Sequence, residues 1–537
     1  MRKQLIVSVV LAAMLSACES VLDKTPIDTI SSENFWQTEE DFRFAANDLY
    51  TYLSLDVTRP NWSVDYFQRG TNAVSSGTHV VSNTDPEWNS AYQGIRRANE
   101  ILEFIEEAPI SQAAKDRYGA EAKFFRGYLY FNLLQRFGGV PAILTLLDFE
   151  SKELTSSRAS REETMAQIIA DLQDAAALLP KKSELPAEDA GRVTRGAALG
   201  MLSRAALFEG TMQKYHDLGN PVPYLETARS AALDFINEGE YPLIDDFSRI
   251  YSEDNENHSE IVLVKWFKEN VTGTSPLGRG LIIDLQIAPT KYLADAFLCT
   301  DGLPIENSSL FQGYNTLDSE FENRDPRMDH TLWRPGTDYG GTPLLPDFRI
   351  SSTGYYLKKP GDVKALEVTF VYTDQILMRS AEILLNFAEA SYELNGSISD
   401  GDLDISINAL RQRVGMPPLT IAFVSGANPA GVQLDMLEEI RRERRIELAG
   451  EGFRYYDLIR WKTAEAELPR PVLGIKFHES DFPGLVVGED IILNEDGFVL
   501  AQTAASRSFE APKHYLFPIP LGEIALNGNL EQNPGWK

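Results

Sequence analysis

The densest concentration of side chains that could do chemistry lies between Ile440 and Trp461, reading IRRERRIELAGEGFRYYDLIRW. These 22 positions hold six arginines, four acidic residues and four aromatics, with Gly450 and Gly452 in the middle. Such a mixture could form a catalytic cluster, or its charges could neutralise one another within a packed scaffold. Spacing favours the second. Glu439, Glu443 and Glu447 recur every four residues beside the row Arg441 and Arg445, and residues three or four apart on a helix are neighbours. Leu437, Ile440, Arg444 and Leu448 share another face, an apolar stripe carrying one arginine. Gly450 suits a helix stop, after which Phe453, Tyr456, Leu458 and Trp461 begin a second apolar pattern. No histidine lies nearby, so the segment reads as two packed helices whose arginines meet internal carboxylates.

Other reactive patterns are absent. The chain has no His-Glu-x-x-His, no Cys-x-x-Cys, no Gly-x-Ser-x-Gly and no phosphate-cradling glycine loop, and its six histidines are scattered. Asp400, Asp402 and Asp404 imitate a calcium loop. However, Ile405 stands where glycine is needed and Arg411 where glutamate is needed, so helix capping is the expected role and no metal is expected. A pair of carboxylates for glycoside hydrolysis need only converge in space, so 79 acidic residues neither identify nor exclude one. Binding chemistry is easier to place. Aromatic rings on loops can stack on sugar faces while amides and carboxylates fix hydroxyls. Trp62, Tyr66, Trp333 and Tyr339 fall outside the helical periodicities, with Asn61, Asp65 and Asn72 as polar partners, and these seven are the candidate ligand contacts. Trp266 is less suited, because it sits in an apolar strand-like run from Glu260 to Phe267.

The N-terminus sets the expected compartment. Arg2 and Lys3 precede an apolar run from Leu5 to Leu15, too short to span a bilayer and typical of a secretory signal. Leu15-Ser-Ala-Cys18 looks like a bacterial lipobox, which makes residues 1–17 a signal peptide, Cys18 the lipidated mature terminus and residues 18–30 a tether. Cys299 is the one other cysteine, so no disulfide framework is expected and a hydrophobic core must carry the stability. The net charge is −29. That excess argues against nucleic-acid binding, which needs a basic footprint.

Residues 31–537 read as one mainly α domain. Helical signals begin near Thr38, return from Trp88 to Ile105 and from Ala122 to Leu133, and stop at Gly138-Gly-Val-Pro141. Further helices are predicted over Glu163–Leu179, Thr194–Glu209, Tyr224–Glu238, Tyr372–Leu394, Asp404–Arg413 and Leu434–Ala449. Alanines at contact positions suggest stacked helix pairs of tetratricopeptide type. The scaffold is thus expected at about 38–240 and 372–461, with a loop-rich, ligand-facing insertion at 241–371 and an irregular C-terminal part at 462–537.

The Ile440–Trp461 segment closely resembles the signature of the SusD/RagB family. Further motifs resemble that family in its order: Trp88-Asn-Ser-Ala-Tyr92, Glu121-Ala-Lys-Phe-Phe-Arg126, Phe137-Gly-Gly-Val-Pro141 and Gly191-Arg-Val-Thr-Arg-Gly-Ala-Ala198. Asn323-Arg-Asp-Pro-Arg327, Thr353–Lys359, Arg379–Ala390, Tyr515–Pro520 and Gln532–Trp536 continue it. Ala449 departs from it, standing where relatives often carry a bulkier aromatic. On physical grounds these motifs look structural: Asp325-Pro326 favours a turn with Arg324 and Arg327 placed to clamp carboxylates. The resemblance implies a non-enzymatic, lipid-anchored outer-membrane protein facing the cell exterior. It would capture oligosaccharides for a SusC-like TonB-dependent transporter, without a cofactor. A peptide ligand in the same role and a surface glycan hydrolase are the alternatives.

Overall fold

The computed structural model describes residues 35–53, 62–68, 70, 72–252, 257–268, 275, 277, 286–339, 342–359 and 372–537. The signal segment, Cys18, the tether at 18–30 and Asn61 lie outside the described residues.

Side-chain caps start several scaffold helices near the positions that the sequence predicts. Helix α1 (Glu39–Leu49) begins with a reciprocal box in which Thr38 and Asp41 accept each other's backbone N–H. Asp85 caps α2 (Pro86–Ile105), and Pro86 sits at the first helical position, where its missing N–H costs nothing. Then follow α3 (Gln112–Phe137), closed by Gly138, and α4 (Arg161–Leu178), opened by a Ser160–Glu163 box. Next come α5 (Arg195–Tyr215) and α6 (Val222–Glu238). From α2 to α6 each helix packs on the next, and α7 (Ser380–Asn395) extends the stack against α6. Ala197, Ala198, Ala205, Ala206, Ala228, Ala231 and Ala232 are all buried, so the axes approach closely, as the alanine pattern predicts. Helices α8 (Met436–Glu447) and α9 (Arg454–Arg460) pack on α7 and α5.

Among the described residues the sheets are four antiparallel pairs: β1 (Tyr66–Gln68) with β3 (Ile287–Pro289), and β2 (Ile261–Lys265) with β6 (Gln375–Arg379). β4 (Asp338–Tyr339) pairs with β5 (Thr342–Pro343), and β7 (Val472–Lys476) with β8 (Phe498–Gln502). No described helix is long and apolar enough to cross a membrane. Three helix expectations need correction. The helix predicted from Ala122 begins earlier, at Gln112. The predicted helix from Tyr372 begins only at Ser380, because Gln375–Arg379 is strand β6, buried at every residue. A short apolar run buried on all sides reads the same in helix and strand. The predicted Asp404–Arg413 helix is two short ones, Asp400–Asp404 and Ile407–Arg413.

The largest core fills the helical stack. A second core joins the insertion to the C-terminal part. Tyr66, Phe297, Trp333, Tyr355, Ile475 and Val499 meet there with Ile446 and Ala449 of the arginine-rich segment. Ala449 therefore fills a packed interior position.

Candidate ligand-binding face

The arginine-rich segment is a charge clamp whose bonds run across the fold. Arg327 bonds Asp325 at 2.7 Å, Glu443 at 2.5 Å and Glu447 at 2.9 Å. Arg379 bonds Glu260, Glu447 and Glu451 at 2.7 Å each, while Arg413 reaches Glu447 at 2.6 Å. Arg411 holds Glu443 at 2.8 Å, and Lys359 holds Glu451 at 2.7 Å. All ten side chains of this network are buried or nearly so. Burial pulls the Glu447 carboxyl upward, but Arg413, Arg379, Arg327 and Lys359 outweigh it and hold the group well below the usual range. A carboxylate so fixed cannot serve as a general acid. The helix partners read from spacing are corrected. Glu443 and Glu447 bond arginines from other elements, Arg445 pairs with Asp65, and Arg441 bonds Glu393. Arg324 also differs, giving its side-chain N–H groups to the carbonyls of Glu320, Ala294 and Phe297.

Of the loops carrying the predicted ligand contacts, those of Tyr66 and Trp333 meet, in the second core. The register pairs Tyr66 with Pro289 and Gln68 with Ile287, which joins the first loop to the insertion. Their rings, however, turn inward. Trp62 is 8% exposed, edge-on to Tyr455 with centroids 5.4 Å apart and with Arg136 5.6 Å from its centroid. Tyr66 (3% exposed) and Trp333 (5%) share the second core, and Lys358 Nζ lies 5.2 Å from the Trp333 centroid. In this conformation none of the three offers an open stacking face, which corrects the expectation of exposed platforms. The loops lack periodicity because short irregular contacts bury them, and that leaves no pattern in the sequence. Asp65 is buried; desolvation raises its pKa, but Arg445 at 2.9 Å and Arg454 at 3.3 Å outweigh this and keep it lowered. Asn72 closes a turn, its Oδ1 accepting from the N–H groups of Val74 and Ser75. Tyr339 lies in the two-residue strand β4, paired with Thr342.

The open indole is one that sequence spacing sets aside. All seven tryptophans fall among the described residues, and Trp266 is the exposed one, at 42%. Strand β2 ends at Lys265, one residue before it. Gly191, at φ +85°, lies against the benzo ring; a Cβ there would sit 2.5 Å from Cζ2. The mounting is stiff. Asp189 is held by Arg43 and Arg117 at 3.2 Å each, Arg192 bonds Glu121 at 2.8 Å, and the Phe267 N–H donates to Asp374 at 2.7 Å. Lys265 Nζ donates to the Leu53 carbonyl at 2.8 Å. A flat ring fixed in this way can stack on an apolar ligand face without ordering itself first. The signal available in the sequence was the charge of Lys265, which ends the apolar run.

Burial raises four described carboxyls, Glu238, Glu320, Asp329 and Glu439, the direction general-acid chemistry requires. Burial, the nearby Asp295 carboxylate adding to it, pushes Glu320 up to about 7, opposed by the Tyr355 hydroxyl, Arg324 and Lys291. Glu320 is buried, so this proton has no open path to a ligand. Among the described residues no group of three His, Cys, Asp or Glu side chains could hold a metal ion.

Residues 282–536 match the SusD family model, and residues 19–207 match a model described as starch-binding associating with outer membrane. A SusD-like protein of Bacteroides ovatus is 25% identical, over 99% of this chain and 94% of its own. SusD-like protein P2 of Formosa agariphila is 25% identical over the full length of both. Two Bacteroides fragilis crystal structures share the fold. A SusD-like carbohydrate-binding protein has a TM-score of 0.76 at 24% identity, and a SusD-like protein has 0.74 at 25%. They cover 93% and 96% of this chain and all of their own. With the signature clamp, the helical stack and both family models in agreement, this chain belongs to the SusD/RagB family.

Proposed function

We propose that the protein is a non-enzymatic glycan-binding lipoprotein of the outer membrane, anchored through Cys18 and facing the cell exterior. It captures oligosaccharides and passes them to a SusC-like TonB-dependent transporter. The observation that carries this reading is the match of residues 19–207 to the starch-binding, outer-membrane-associating model. Trp266 supports it, as a rigidly mounted ring open to solvent. The loops that hold Trp62, Asp65, Tyr66, Asn72, Trp333 and Tyr339 are kept as a second candidate contact region, in which the Trp62, Tyr66 and Trp333 rings are buried in this conformation.

Isothermal titration of the mature chain against starch, laminarin and other oligosaccharides, alongside an oligopeptide panel, tests the ligand class. Binding is expected for a glycan and weakens about five- to tenfold in Trp266→Ala, the loss of one aromatic stack. Binding of peptides alone overturns the glycan reading, and shortened saccharides after incubation overturn the non-enzyme reading. Cys18→Ser is expected to move the protein from the membrane to the soluble fraction. Co-purification with a large β-barrel transporter tests the partner.

A further inference from the structure

A pocket of about 610 Å³ opens where the end of α3, the start of α4 and the end of α5 meet the C-terminal tail. Part of its wall is apolar, from Met212, Leu218, Pro512 and Leu516. The polar part is strongly biased. Arg158, Arg161, Lys462 and Lys513 line it against one carboxylate, Glu465, in a chain of net charge −29. Two of the cations have acidic partners: Arg161 pairs with Glu209 at 2.7 Å and Lys513 with Glu510 at 3.2 Å. Glu465 accepts the Tyr515 hydroxyl at 2.8 Å.

Arg158 is compensated differently. Its Nε, Nη1 and Nη2 donate to the carbonyls of Gly139, Glu531 and Phe137 at 2.6, 2.9 and 2.7 Å. Three carbonyls orient the guanidinium but carry no formal charge, and they leave two of its five N–H groups. Burial pulls its pKa below the usual arginine range despite the Tyr92 hydroxyl and the Glu531 carboxylate, the mark of a cation short of countercharge. Lys462 stands exposed at the same rim, held at φ +57° with its N–H on the Ile459 carbonyl. That conformation is unusual for a side-chain-bearing residue.

We propose that this pocket binds a small organic anion, a carboxylate, sulfonate or sulfate group on an apolar body. The anionic group sits between Arg158 and Lys462, and the body rests on Met212, Leu218, Pro512 and Leu516. Charge complementarity and the mixed wall define the occupant, and the site is independent of glycan capture. Titrating the mature chain with 2-naphthalenesulfonate and with uncharged 2-naphthalenemethanol tests it. The sulfonate is expected to bind with 1:1 stoichiometry, about tenfold tighter than the alcohol, and to weaken as salt rises. Lys462→Asn removes the charge while suiting the left-handed backbone, and should weaken sulfonate binding about fivefold without lowering the melting temperature. Absence of sulfonate binding, equal affinity for the alcohol, or an unchanged affinity in Lys462→Asn each overturns the proposal.

Discussion

At the scale of single residues, Trp266 and Glu320 make the sharpest claims. Because the other six tryptophans are buried, Trp266 should dominate fluorescence quenching by a water-soluble quencher. Trp266→Phe is therefore expected to remove most of the acrylamide-accessible emission, and an unchanged quenchable fraction would contradict the placement. Glu320 is neutral in the fold up to about pH 7, whereas an unfolded carboxyl ionises near 4.5. The folded pKa is raised, so the stabilisation is fully present below the unfolded value and is lost as pH climbs through about 7. Ionising this buried group costs roughly 3 kcal/mol. Thermal melts from pH 4 to pH 8 should show this fall, and Glu320→Gln should flatten it while leaving the rest of the profile.

At the scale of elements, the informative unit is β2 with the turn that receives Trp266. The 3₁₀ segment Ala187–Asp189 is tied down by ion pairs, and Gly191 follows it in a left-handed conformation with no room for a methyl group. Gly191→Ala adds both backbone strain of about 1–3 kcal/mol and a clash with the indole. It is expected to lower the melting temperature and displace Trp266, shifting its emission. On the glycan reading, affinity would fall as it does in Trp266→Ala. A variant melting like the parent with unchanged emission would show that the ring does not depend on this turn.

Across the whole molecule, the clamp makes separate stretches of chain one body. Asp325, Arg327 and Lys359 come from the insertion, Glu260 flanks β2, Arg379 ends β6, and Glu443, Glu447 and Glu451 belong to the signature segment. Removing one partner from a buried network strands the others, at about 3–5 kcal/mol. Arg327→Ala should therefore lower the unfolding free energy by that order in denaturant titration, and a loss under 1 kcal/mol would mean the clamp relaxes without it. The same scale explains what could be read in advance. The helix start near Thr38 was legible because its cap acts on backbone groups three residues away, whereas α3 begins at Gln112, capped by Ser111, well before the Ala122 pattern that announced it. Strand β6 was not legible, because its partner β2 lies more than a hundred residues earlier in the chain.

The sequence by itself determined the helical scaffold, the family and the structural character of the arginine-rich segment. The scaffold and the structural character of that segment follow from periodicity and charge spacing, and the family from the resemblance of its ordered motifs. Only the tertiary structure decided where each charge finds its counter-charge and which tryptophan meets solvent. Spacing placed Glu443 and Glu447 beside Arg441 and Arg445, yet their partners arrive from Arg327, Arg379, Arg411 and Arg413 on other elements. Trp62 and Trp333 sit in irregular segments and are buried, while Trp266 follows an apolar strand and is open. Exposure is set by which distant segments pack over a residue, and a ring's immediate neighbours in the chain do not record that.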